Sequence, residues 1–173
     1  MENFTNETID TRQLPKFEEV TFTKLDPKYL WVILINLAFF ISLLILVPIL
    51  FSMFKSEIFS ERVWLIIGAV IPVFSILLVV FSFIGFQRKG FAFREHDVLY
   101  KYGILATKTI IIPYNRVQHV ALHEGFVSRY LGLAKIEIFT AGGSSSDIEI
   151  PGIEKEQAEN IKQLLMGKIQ KQL

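Results

Sequence analysis

The chain contains no cysteine, which removes disulfides, CxxC redox chemistry and thiolate zinc sites from consideration. Charge is missing from two long stretches, since neither Leu30–Phe54 nor Val63–Phe86 contains a single Asp, Glu, Lys, Arg or His. A net basic excess is also missing. With 18 Lys and Arg against 17 Asp and Glu, the chain lacks the clustered positive charge that a nucleic-acid footprint needs. No GxSxG, HExxH, Walker or Rossmann spacing occurs, and no internal repeat. The opening residues lack a basic n-region, and the first apolar run is too long for a signal h-region, so the N-terminus is not read as a cleavable signal.

The two uncharged runs dominate what is present. As helices they would be roughly 37 and 36 Å long, against about 30 Å of bilayer hydrocarbon. A soluble protein of 173 residues would leave most of that apolar surface in water. The pair, joined by the eight residues from Lys55 to Arg62, is expected to form a transmembrane helical hairpin. Asp26 is a good N-cap and Pro27 suits the first helical position. Tyr29, Trp31 and Trp64 fall at the depth of the membrane interface. Pro48 and Pro72 are each expected to kink a span. Asn36, the one strongly polar side chain in the first run, is expected to hydrogen-bond to the other span, with a polar pathway as the alternative. Arg12, Lys16, Lys24 and Lys28 precede the spans and Arg88, Lys89 and Arg94 follow them, against Lys55 and Arg62 in the connection. The positive-inside rule then puts both termini in the cytoplasm.

Beyond Phe86 the hydrophobic period changes to two. Phe91 and Phe93 alternate with smaller neighbours, and Val98, Tyr100 and Tyr102 share the next face. Thr107–Ile112 is rich in β-branched residues and ends at Pro113, which cannot donate a ladder hydrogen bond. Val120 with Leu122, Ile136 with Ile138, and Ile148 with Ile150 continue the alternation. About six short antiparallel strands are expected. After Pro151-Gly152, Ile153, Ala158, Ile161, Leu164, Leu165 and Ile169 recur at helical spacing. Strands followed by one amphipathic helix point to a small curled sheet or barrel closed by that helix. Before the spans, Phe17, Val20 and Phe22 give residues 16–24 the means to dock a further strand or turn on this sheet.

Several pieces together carry a resemblance. These are Ile112 to Val120, reading Ile-Pro-Tyr-Asn-Arg-Val-Gln-His-Val, then Gly125 through Arg129-Tyr-Leu-Gly-Leu133, Ile138 to Gly143, and Ile150-Pro-Gly152. As an ordered set over about residues 87–168 they resemble the bacterial pleckstrin-homology-like (PH-like) domain of the YdbS-like membrane proteins, whose layout also has a preceding two-span hairpin. The resemblance implies a PH-like antiparallel β-barrel or curled sheet capped by a C-terminal α-helix, held at the cytoplasmic face of the bacterial plasma membrane. It also implies a membrane-protein partner carrying related PH-like domains. No catalytic residues and no cofactor come with it. The organisation expected is a polar tail over 1–25, a hairpin over 26–86 with spans 30–54 and 63–86, and a cytoplasmic PH-like domain over 87–173.

Candidate site residues fall into two groups. Lys24, Lys28, Arg88, Lys89 and Arg94 would face anionic lipid, each gaining about 1 kcal/mol there, with Lys101 added as a headgroup contact. Arg116, His119, Arg129, Gly142 and Gly143 would face a protein partner, Arg116 having Glu124 or Asp147 as possible carboxylate neighbours. His119 and His123 sit four apart, which would suit a metal on a helix but puts them roughly 13 Å apart on a strand. Asp147 and Glu149 read as one solvated strand face. The functional expectation is non-enzymatic, with no metal, cofactor, nucleic acid or small-molecule substrate: a membrane-anchored module assembling with another membrane protein. An anionic-lipid-binding module and a subunit of a transport or export assembly, with Asn36 and the proline kinks in a shared helical interface, are the alternatives.

Overall fold

The computed structural model describes residue 8 and residues 17–54, 59–141 and 146–170. A single 3-10 turn, Phe17–Glu19, leads to a two-residue strand β1 (Thr23–Lys24). Two long helices follow, α1 (Lys28–Phe54) and α2 (Glu61–Arg88). Both spans start about two residues earlier than their apolar runs, because the caps lie in polar sequence. The Lys28 amide donates to Asp26 Oδ1 at 2.7 Å, satisfying one of the donors a helix start leaves open. Both helices are long and apolar enough to cross a membrane, and each runs unbroken through its proline. Only Val32 in α1 and Gly85 in α2 are buried. Core helices of a soluble protein would be largely covered, whereas these two leave their apolar sides open, as membrane-crossing helices do.

The headpiece is two antiparallel sheets and a helix. One sheet has the order β1-β2-β3-β4, with β2 (Gly90–Phe93), β3 (Asp97–Tyr102) and β4 (Lys108–Pro113). The other has the order β5-β6-β7, with β5 (Val117–His123), β6 (Leu133–Thr140) and β7 (Ile148–Glu154). A short helix α3 (Phe126–Tyr130) sits between β5 and β6, and α4 (Lys155–Gln170) ends the fold. The sheets do not close into a barrel, so the curled-sheet form of the PH-like fold is the one adopted. β1 supplies the extra strand from before the spans, pairing Thr23 with Phe91 and Lys24 with Gly90.

Val98, Ile136, Ile138, Ile148, Ile150 and Ile153 fill the space between the sheets, and α4 closes it with Ala158 and Leu165. Fully burying each isoleucine removes enough apolar surface to be worth about 2 kcal/mol. Two bulges adjust the alternation. One extra residue on β5 between Val117 and His119 lets Val117 and Val120 both face inward. The other, opposite Ala134–Ile136, does the same for Ile150 and Ile153. Ile153 therefore belongs to β7 and not to the terminal helix, correcting the helical spacing read from Ile153 onward. Leu164 also turns outward.

Pro151-Gly152 marks the second bulge, and the first span docks there. Gly152 has φ +65°, and a Cβ on it would lie 2.4 Å from Tyr29 Cγ. The Asp26 amide donates to the Gly152 carbonyl at 2.9 Å. Tyr29 thus packs on the headpiece, whereas Trp31 is exposed.

Gly152→Ala is expected to lower the unfolding free energy of the detergent-solubilised protein by about 2–4 kcal/mol, from backbone strain plus the clash with Tyr29. Gly132→Ala, at φ +71° with nothing within 4 Å of the added carbon, should cost only about 1–2 kcal/mol. Equal thermal shifts for the two variants would show that the Tyr29 contact does not hold the hairpin on the headpiece.

Candidate functional site

The ends of α1 and α2 nearest the headpiece gather cations. Lys24 donates from Nζ to the Gln87 carbonyl at 2.9 Å, capping the last turn of α2, where positive charge is favoured. Arg88 donates from Nη1 to the Ile104 carbonyl in the β3–β4 loop. Lys101 on β3 places its ammonium 5.6 Å from the centre of the Phe22 ring. These three cations, with Phe22, Gln87, Gly90 and Thr107, line a pocket of about 470 Å³. No carboxylate lines it among the described residues.

Lys89 points to the other side of α2. Its ammonium lies 5.9 Å from the Tyr29 ring centre, and burial holds its pKa below the ordinary lysine value. It borders an apolar groove of about 550 Å³ between the hairpin and the β3–β4 loop, lined by Tyr29, Ile33, Phe81, Phe86, Ile104 and Leu105 among others. Gly85 permits this approach, because a Cβ there would meet Ile104 Cγ1 at 3.3 Å. At the loop tip Leu105 is 94% exposed. On α3, which contacts α1, Phe126 and Tyr130 are 94% and 90% exposed.

The remaining candidates are dispersed. Lys28 is exposed at the first turn of α1 and is not among the pocket residues. Arg94 sits at the far end of β2 and is held by Asp97 through two hydrogen bonds of 2.6 and 2.5 Å, a paired arrangement that raises its pKa. The Tyr114 hydroxyl donates to the Arg94 carbonyl at 2.6 Å, and burial pushes its pKa up to about 12. Arg116 lies in the 3-10 turn between β4 and β5, His119 on β5 and Arg129 on α3. Gly142 and Gly143 lie outside the described residues. The carboxylates considered for Arg116 are engaged elsewhere: Glu124 with Lys155 at 2.8 Å, and Asp147 with the Thr140 amide at 2.9 Å.

His119 and His123 share strand β5, and the His119 ring stacks flat on Phe139 with centroids 4.1 Å apart. Among the described residues no group of three or more His, Asp or Glu could hold a metal ion. Glu149 is bonded to Lys135 at 2.8 Å and to Ser146 at 2.9 Å. The basic pocket was only half legible in sequence. Lys24 and Arg88 carried the signal of charges flanking a span, but their meeting with Lys101 depends on strand pairing across the spans.

A family model described as a bacterial PH domain matches residues 31–169. The chain belongs to the bacterial PH domain family. The match starts within the first span, well before the 87–168 region that carries the resemblance. Among similar proteins, the UPF0699 transmembrane protein YdbS of Bacillus subtilis (strain 168) is 31% identical over 102 residues, 58% of this chain and 57% of YdbS. The UPF0699 transmembrane protein YdbT of the same organism is 30% identical over 103 residues, 58% of this chain and 21% of YdbT. The match thus spans little more than half the length of one relative and about a fifth of the other. No solved structure matches the chain.

The Glu149–Lys135 pair across β6 and β7 should make stability depend on acid pH. Hydrogen bonding to Lys135 holds the Glu149 pKa below its ordinary value of 4.5. The stability this pair contributes is fully present above the ordinary value and is lost as pH falls through the lower folded-state value. Thermal unfolding followed from about pH 5.5 to about pH 3 should show a smaller loss of stability in Glu149→Gln than in the parent. Identical slopes would count against the pair.

Proposed function

We propose that this PH-domain protein is a non-enzymatic membrane module that seats its headpiece on the cytoplasmic leaflet and holds anionic phospholipid headgroups in the Lys24–Arg88–Lys101 pocket. The observation that carries the reading is the pocket itself: three cations, no lining carboxylate, and a position at the last turn of a span. A phosphate there would meet the positive charge of Lys24, Arg88 and Lys101, with Thr107 beside it. Exposed Leu105, Phe126 and Tyr130 near the base of the hairpin support seating, since such side chains gain by entering the bilayer interface. The excess of basic residues on the headpiece side of the spans supports cytoplasmic termini.

We rank this reading above partner assembly through Arg116, His119, Arg129, Gly142 and Gly143, because Lys24, Arg88 and Lys101 converge on one cavity. In nanodiscs of mixed phosphatidylglycerol and phosphatidylcholine, native mass spectrometry should find the parent chain enriched in the anionic lipid. The double variant Lys24→Gln/Lys101→Gln should lose roughly thirtyfold of that preference, at about 1 kcal/mol per cation. Lys162→Gln, on α4, should leave it unchanged. Equal lipid enrichment in all three proteins would sink the proposal. Topology is checked separately: single cysteines at Ser60 and Leu164 should label from opposite sides of the membrane.

A further inference from the structure

We infer that α1 pairs with α1 of a second copy of this chain, across the face that carries Asn36. The inference is independent of the headgroup pocket and needs only that α1 crosses the membrane. Asn36 lies eight residues into the helix from Lys28, roughly 12 Å along the axis, and so within the hydrocarbon depth of the span. It was expected to bond to the other span, but it faces outward and is exposed. Among the described residues, the side-chain hydrogen bonds within the spans are those of Ser42, Ser52 and Ser75, each returning to a carbonyl of its own helix. An exposed carboxamide in water is fully hydrated. In hydrocarbon, with no such bond to its own helix or to α2 among the described residues, its donors and acceptor are best met by a neighbouring helix.

The sequence around Asn36 selects the partner. Phe40, Leu43, Val47 and Leu50 follow it at alternating steps of four and three residues, the repeat that keeps one helix seam on another. All four are exposed, while the neighbouring Leu37 and Ile41 are half-buried. Phe40, Leu43, Leu44, Val47 and Pro48 outline a shallow apolar groove of about 270 Å³ on this seam, able to receive a large apolar side chain. Copies inserted in the same sense present parallel α1 helices, and a two-fold axis along the membrane normal sets equal positions opposite each other. Asn36 then meets Asn36 at the same depth. Each carboxamide carries both donor and acceptor, so the pair is self-complementary, and one polar position in the repeat fixes its register. An unlike chain would need its own polar group at that depth; a second copy has one by symmetry.

The absence of cysteine makes the test direct. Leu43→Cys, oxidised in native membranes, should form a disulfide-linked species of twice the chain mass. Ile45→Cys, on the opposite side of α1 and also exposed, should not. Adding Asn36→Leu to the Leu43→Cys chain should weaken association roughly tenfold, read as the fall in cross-linked yield on dilution into excess lipid. Equal cross-linking at 43 and 45, an unchanged yield with Asn36→Leu, or an adduct of any mass other than two chains would overturn the pairing.

Discussion

Between Lys24 and Tyr29 the chain is fixed to a residue that comes more than a hundred positions later, and this junction controls the rest of the molecule. The Asp26 amide bonds to the Gly152 carbonyl, Tyr29 lies on the Gly152 backbone, and Leu25 is buried in the headpiece core. On the other helix, Phe86 packs on the same core and against Tyr29, with ring centroids 6.5 Å apart. Both spans are therefore continuous with the hydrophobic interior of the PH domain. A headpiece on a loose tether would sample many orientations. Here the β3–β4 loop, α3 and the cationic pocket are held at set positions around the base of the hairpin.

That attachment gives the basic residues two roles. Lys24 caps the last turn of α2 and Arg88 ties the same turn to the β3–β4 loop. Both bonds go to backbone carbonyls, so the positive charges are fixed in place without being neutralised by a carboxylate. Other headpiece cations are paired with carboxylates: Arg94 with Asp97, Lys135 with Glu137 and Glu149, and Lys155 with Glu124. A pocket in which Lys24, Arg88 and Lys101 meet with no lining carboxylate among the described residues fits recognition of an external anion.

The membrane half and the folded half use polarity differently. In the headpiece, the donors of Tyr114 and Arg94 find partners within the domain. In the spans, Ser42, Ser52 and Ser75 bond back to their own helices, whereas Asn36 is exposed with no side-chain hydrogen bond among the described residues. Because hydrocarbon offers no hydrogen bonds, a single carboxamide there has an influence that the same group on the headpiece surface would lack.

Much of this architecture could be read from local pattern. Uncharged runs longer than a bilayer identified the spans, Asp26-Pro27 their start, and alternation the six strands after Arg88. Each reflects an energy set by neighbouring residues: dehydration of a run, a cap, a period of two. Other features depended on contacts between distant parts of the chain. The bulges that moved Val117 and Ile153, the turn of Tyr29 onto Gly152, and the pairing of β1 with β2 were not visible in local spacing. Nor was the meeting of Lys24, Arg88 and Lys101, or the outward aim of Asn36. Hydropathy and periodicity determine which element a segment becomes. Where two segments meet, and which way a lone polar group then points, is decided only when the sheets and helices pack.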